Sequence, residues 1–193
     1  MFREWLDEAK QYGAHSSLMN LATATKNGKV SNRTVVVRDI TATGNLVFTA
    51  QVKSNKMKDI MENPQVAATF LLLYIKDGKN IGKQIRFVGM AEKLPMERCK
   101  IYYEKEKLSA KIRSWICQNS GPVDWNQLKF EHDHLLKEVI EDKKALEMPD
   151  TLVAYKIVPS EIDFYFSSGN QIADRILFKK GSNAEWKYER LRA

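Results

Sequence analysis

The sequence predicts an α+β protein whose strands close mainly into an antiparallel barrel with helices on its periphery. Three observations carry the prediction. β-Branched and aromatic runs, separated by Asn/Gly turn signals, fill residues 18–94 and return after residue 152. A block with helical periodicity separates the two groups of strands. No regular strand–helix alternation exists, which disfavours a parallel doubly wound sheet. At 193 residues the chain is read as a single domain spanning 1–193.

Phe2, Trp5, Leu6, Ala9 and Tyr12 recur at spacings of three and four and predict an opening amphipathic helix. Leu18–Thr25 and Val30–Arg38 flank Asn27-Gly28, a hairpin signal. Thr43-Gly44-Asn45 turns into a short strand, Leu46–Ala50. Ser54 is placed to cap a short helix with Met57, Ile60 and Met61 in register, ended by Asn63-Pro64. Val66–Tyr74 reads as a fully buried strand, and Gln84–Leu94 as an alternating one.

Pro95 suits a first helical position; Ile101, Tyr102 and Leu108, then Ile112, Trp115 and Ile116, supply two helical stripes ending at Gln118. Beyond the break at residues 119–122, Leu128, Leu135, Leu136, Val139 and Ile140 mark another helix. Strands follow at Leu152–Val158, Glu161–Ser167, Arg175–Lys179 and Trp186–Leu191.

Composition narrows the function. With 44% hydrophobic and 28% charged residues the chain is neither disordered nor low in complexity. No apolar run approaches the ~18 residues of a spanning helix, so no membrane partner is expected. The acidic, polar start predicts no cleaved leader. Two cysteines, Cys99 and Cys117, predict no disulfide framework and a cytoplasmic location; both sit in helical stripes and read as buried small apolar residues. The net charge of +7 favours anionic partners in general. Its cations are interleaved with acids, as over Lys100, Glu104, Lys105, Glu106 and Lys107, which reads as a solvated helix face rather than a nucleic-acid stripe.

The chain contains no Gly-x-Ser-x-Gly, Walker loop, Gly-rich dinucleotide turn or His-Glu-x-x-His. His132 and His134 are two apart on a helix and point to different sides, so no metal site is expected. One constellation stands out. Ser54-Asn55-Lys56 opens a helix, where backbone N–H groups, a hydroxyl and an ammonium can converge on an anion; a plain Ser cap beside a surface Lys is the competing reading. Arg33 and Arg38, five apart on an extended strand, would serve different partners.

In order along the chain, Arg33-Thr34-Val35-Val36-Val37, Val47-Phe48-Thr49, Ser54-Asn55-Lys56 with Asn63-Pro64, Gln84–Leu94, Ile162-Asp163-Phe164-Tyr165, Asp174-Arg175-Ile176 and Trp186 with Arg190-Leu191 together resemble the pyridoxine/pyridoxamine 5′-phosphate oxidase family. The resemblance covers nearly the whole chain. It implies a split β-barrel homodimer that binds FMN in two clefts between subunits and oxidises a small molecule, a B6 vitamer in the family's own form. By position, Arg33 and Lys56 would hold the FMN phosphate with Ser54 and Thr49. Thr34, Val35, Val36 and Phe48 would lie along the cofactor, and Gln84 would hydrogen-bond its ring. Gln118 or Asn119, with Ser120, would match a Gln-Ser contact, while Tyr165 and Arg175 would close over the flavin. Arg38 and Tyr102 would touch substrate; no residue is assigned a catalytic role.

The departures from the family pattern are part of the reading. Asn55 stands where an arginine is usual, removing one guanidinium fork. Glu106 and Ala110 stand for an Arg and a Ser, Gln171-Ile172-Ala173 for Arg-x-His, and Leu152-Val153-Ala154 for Trp-Gly-Gly. Glu for Arg opposes a phosphorylated substrate, so the resemblance implies either an oxidoreductase with an altered substrate or a flavin-binding dimer without the oxidase activity.

Overall fold

In a computed structural model, residues 1–118 and 120–193 of the chain are described; Asn119 lies outside them. Helix α1 (Phe2–Gln11) precedes β1 (Leu18–Ala24), β2 (Val30–Val36), β3 (Asp39–Ile40), β4 (Leu46–Gln51), α2 (Asn55–Glu62), β5 (Gln65–Lys76) and β6 (Lys79–Lys93). Then come α3 (Met96–Glu104), α4 (Leu108–Ile116), α5 (Trp125–Ile140), β7 (Leu152–Ser168), β8 (Asp174–Lys180) and β9 (Trp186–Arg190). All nine strands form one antiparallel sheet ordered β2-β1-β5-β6-β7-β4-β3, with β8 on β7 and β9 on β8.

Strand β7 makes the barrel split. Along one edge it stays with β6, but along the other Leu152–Ile157 pair with β4 and Glu161–Phe166 pair with β8. The change falls at Pro159-Ser160, where the register to β6 slips between Val88 and Gly89. Proline cannot donate to a ladder and is tolerated at such an irregularity. The two strands predicted over 152–158 and 161–167 are therefore one. Gly89 is required at this crossing: a Cβ there would meet the Val158 carbonyl oxygen at 2.2 Å.

Alternation sets the core. Met19, Leu21, Phe48, Phe70, Leu72, Ile85, Phe87, Ile157 and Phe164 are buried on the inner face. Helix α1 closes one end, with Phe2 edge-on to Phe70 and Phe87 and Trp5 edge-on to Phe164. A second cluster, Val47, Cys99, Tyr102, Tyr103, Leu152 and Ala154, packs α3 onto the back of β4 and β7.

Four expectations change. β5 is not buried on both faces: Phe70, Leu72 and Tyr74 point inward, whereas Leu71, Leu73 and Ile75 are exposed. A two-residue strand, β3, was too short to show a period. Pro95 precedes α3 as its N-cap rather than opening it. Cys99 is buried as expected, but Cys117 is exposed at the end of α4.

Candidate functional site

The Asn-Gly hairpin brings β2 against β1, and α2 packs across β1, so Arg33 and the first turn of α2 meet at one rim of the barrel. Arg33 Nη1 donates to the Leu21 carbonyl at 3.1 Å and to Thr23 Oγ1 at 2.8 Å. Thr23 Oγ1 in turn donates to Asp59 Oδ2 at 2.6 Å, and Arg33 Nη2 lies 3.7 Å from the same oxygen. Lys56 Nζ donates to Ser54 Oγ at 3.2 Å. Ser54 sits at the N-cap of α2 as predicted, but its side chain makes no capping bond.

This corner holds two cations against one carboxylate. Burial lowers the Lys56 pKa, and the Arg33 charge lowers it further. Burial likewise lowers that of Arg33, against the opposing pull of Asp59. Two partly desolvated like charges at a helix N-terminus are each less stable as cations than in water, and a bound anion relieves both. Ser120 and Gly121 reach the same helix, lining with Val52, Lys53, Asn55 and Lys58 a cleft of about 550 Å³. Asn55 is exposed there.

Strand β2 ends at Val36, short of the predicted Arg38, and Arg38, between β2 and β3, serves other partners than Arg33, as expected. Its Nε donates to Thr49 Oγ1 at 3.3 Å, and its Nη2 pairs with Glu106 Oε1 at 2.5 Å. Glu106, read from sequence as part of a solvated face, is instead nearly buried, at 13% exposure. Beside it the Tyr102 hydroxyl donates to Asp39 Oδ2 at 3.2 Å and accepts from Arg98 Nη2 at 3.1 Å.

The remaining predicted residues form a row. Gln84 on β6 pairs with Tyr165 on β7, which pairs with Arg175 on β8. Gln84 makes no side-chain hydrogen bond among the described residues. Arg175 Nη2 donates to Asp163 Oδ2 at 2.8 Å, and Arg86 Nη2 donates to the same oxygen. Burial alone would raise the Asp163 pKa; the hydrogen bonds from Arg175 and Arg86 outweigh it and hold the carboxyl below its usual range. One carboxylate thus anchors two guanidiniums.

The row and the corner lie on opposite faces of the sheet. Arg33 stands opposite Leu21, and Leu21 opposite Ala68, both on the inner face. Gln84 stands opposite the exposed Leu71, between the buried Lys83 and Ile85. Within one chain the two groups therefore face away from each other.

Some predicted contacts are corrected. Phe48 is fully buried and stacks on Tyr155, so its side chain is part of the core and only its backbone is open to a contact. Val35 and Val36 alternate, as strand neighbours must: Val35 packs on the core and Val36 is exposed. Both cannot flank one ring by their side chains, although β2 is an edge strand with backbone groups open to a ligand. Thr34 is also exposed, its Oγ1 donating to Asn20. Gln118 donates to the Trp115 carbonyl, and Asn119 lies outside the described residues. Sequence reasoning missed Thr23, Asp59, Arg86 and the role of Asp163. Asp59, three residues after Lys56 on the same helix, was the one locally detectable signal. Among the described residues no group of three or more His, Cys, Asp and Glu is placed to hold a metal ion.

Comparison with known proteins bears on this arrangement. Residues 6–147 match the family model described as pyridoxamine 5′-phosphate oxidase, and residues 153–193 match the pyridoxine 5′-phosphate oxidase C-terminal dimerisation region. The pyridoxine/pyridoxamine 5′-phosphate oxidase of Coxiella burnetii is 29% identical over 98% of this chain and 92% of its own length. That of Salinibacter ruber is 29% identical over 98% of this chain and 86% of its own. Among solved structures, PhzG from Burkholderia lata, in complex with tetrahydrophenazine-1-carboxylic acid, superposes with a TM-score of 0.85 at 23% identity, covering 99% of this chain and 90% of that one. A pyridoxamine 5′-phosphate oxidase-related, FMN-binding protein from Nostoc punctiforme gives 0.76 at 16% identity, over 100% and 97%.

Proposed function

The chain belongs to the pyridoxamine 5′-phosphate oxidase family, and from that premise we propose that it is an FMN-dependent oxidoreductase acting on a small molecule as a homodimer. The observation that carries the reading is the Arg33–Lys56 corner, two partly desolvated cations of which only Arg33 has a carboxylate, Asp59, while Lys56 stands at the start of α2 against the Ser54 hydroxyl. It fits a phosphate monoester, which wants charge-assisted donors and a helix N-terminus.

In this reading Arg33, Lys56 and Ser54 hold the FMN phosphate, Thr49 and the open edge of β2 run along the cofactor, and Ser120 approaches from the cleft beside α2. Gln84 offers an uncommitted amide to the ring, and Tyr165 and Arg175 cover it. Asp163 fixes the Arg175 fork, so Arg175 meets the ligand already oriented. When bound, FMN supplies two-electron redox chemistry, taking a hydride from a substrate carbon bearing an amine or alcohol and passing the electrons to dioxygen. Arg38 and Tyr102 stand on the substrate side.

Two features support a homodimer. The corner and the row occupy opposite faces of one chain, so a second copy must supply one of them to any complete cleft. The exposed face of β5 and β6 carries Leu71, Leu73, Ile75, Val88 and Met90, an apolar surface of the kind obligate interfaces cover. The reading is tested by adding FMN to the purified protein and recording its visible absorbance and flavin fluorescence. Uptake at one FMN per chain is expected, weakened roughly tenfold to a hundredfold in Lys56→Met, which loses one charge-assisted contact. A protein that takes up no FMN overturns it.

A further inference from the structure

Resting on the flavin reading above, we propose that the Arg38–Glu106 ion pair is a specificity device that closes the substrate side of the cleft to phosphate esters and selects a substrate without a phosphate group. Two places in this chain were open to phosphate recognition, and they are built oppositely. At the α2 corner Arg33 faces one carboxylate, Asp59, while Lys56 meets only the Ser54 hydroxyl, so positive charge is in excess. At the substrate wall the charges cancel: Arg38 pairs with Glu106, and Arg98 lies 4.0 Å from Asp39.

The fork most suited to a phosphate is engaged in part: Arg38 gives Nε to Thr49 and Nη2 to Glu106. The one proton of the Tyr102 hydroxyl goes to Asp39, so Tyr102 has none for an incoming oxygen. Thr49 ties Arg38 to β4, fixing the pair beside the proposed cofactor. Glu106 is 13% exposed, so it stays largely out of solvent beside Arg38. A phosphate dianion here would lie against the Glu106 carboxylate, and could take the Arg38 fork bidentately only by displacing it, both of which oppose binding.

The other wall adds no compensation. The segment joining β7 to β8, residues 169–173, reads Gly-Asn-Gln-Ile-Ala and contains no basic residue, and it adjoins the Tyr165–Arg175 row that a second copy would present. Arg175 is itself held by Asp163. One phosphate, that of the cofactor, is therefore accommodated by charge, and a second is not.

The test uses the FMN-loaded protein, titrated anaerobically with pyridoxamine and with pyridoxamine 5′-phosphate while flavin absorbance and fluorescence are followed. The wild type is expected to bind the phosphate ester no more tightly than the unphosphorylated amine. Glu106→Arg should raise the preference for the ester over the amine about tenfold or more, and Glu106→Gln, nearly isosteric, by a smaller factor. If the wild type binds neither compound, Glu106→Arg must gain the ester. FMN uptake by each variant reports that it is folded. A wild-type preference for the ester of about tenfold or more, or variants that leave the ratio unchanged, overturns the proposal while the flavin reading stands. Failure of the wild type to take up FMN overturns both.

Discussion

Lys83 points into the barrel end, under Trp5 at 5.0 Å from the ring centroid, and its ammonium meets Glu8 Oε2 at 2.8 Å. Hydrogen bonds from Lys83 and then Lys76 pull the Glu8 pKa from the usual 4.5 down to about 2. A depressed folded-state pKa contributes stability that is whole above about 4.5 and is lost as pH falls toward about 2. Denaturant midpoints of wild type and Glu8→Gln should therefore differ at neutral pH, by about 1–2 kcal/mol because Lys83 loses its counter-ion, and converge near the acid end of that window. Gly89→Ala is expected to cost about 3 kcal/mol, read from urea unfolding, because the added Cβ meets backbone rather than a yielding side chain. Burial raises the Cys99 thiol pKa to about 11. A neutral-pH thiol reagent should accordingly modify Cys117 in the folded protein and reach Cys99 only on unfolding.

At the scale of elements, the apolar run Val66–Tyr74 shows why hydrophobicity alone misleads. A strand buried on both faces and a strand with one face in the core and one awaiting a second copy have the same composition. Leu73 is 62% exposed in the single chain. Leu73→Glu should leave far-UV circular dichroism and the core intact yet convert a dimer to monomers in sedimentation velocity, since burying a carboxylate in an apolar interface opposes association. The hairpin at Asn27-Gly28 was legible because an Asn-Gly turn and two-residue alternation are local signals. β3 and the continuity of β7 were not: two residues show no period, and Pro159 reads locally as a stop although the ladder on its other side absorbs it as a bulge.

The whole molecule distributes its surplus of seven positive charges unevenly. A part of the surplus is gathered at the Arg33–Lys56 corner, while at Arg38 and Arg98 each cation faces a carboxylate. If complete clefts form between copies, a chain carrying Lys56→Met and another carrying Arg175→Leu, each impaired alone, should complement on mixing. Random exchange makes half the dimers mixed, each with one intact cleft, so FMN uptake should recover to about a quarter of wild-type sites; no recovery would place both groups in the same chain's cleft. The sequence by itself determined most of the strands, the first hairpin, the alternation of β6 and the cation at the start of α2, because each depends on neighbours within one or two turns of chain. Only the tertiary structure decided which charges are neutralised. Arg33 finds Asp59, Arg38 finds Glu106 and Arg175 finds Asp163, across separations that no local pattern records, since an ion pair depends on distance in space and on the water excluded around it.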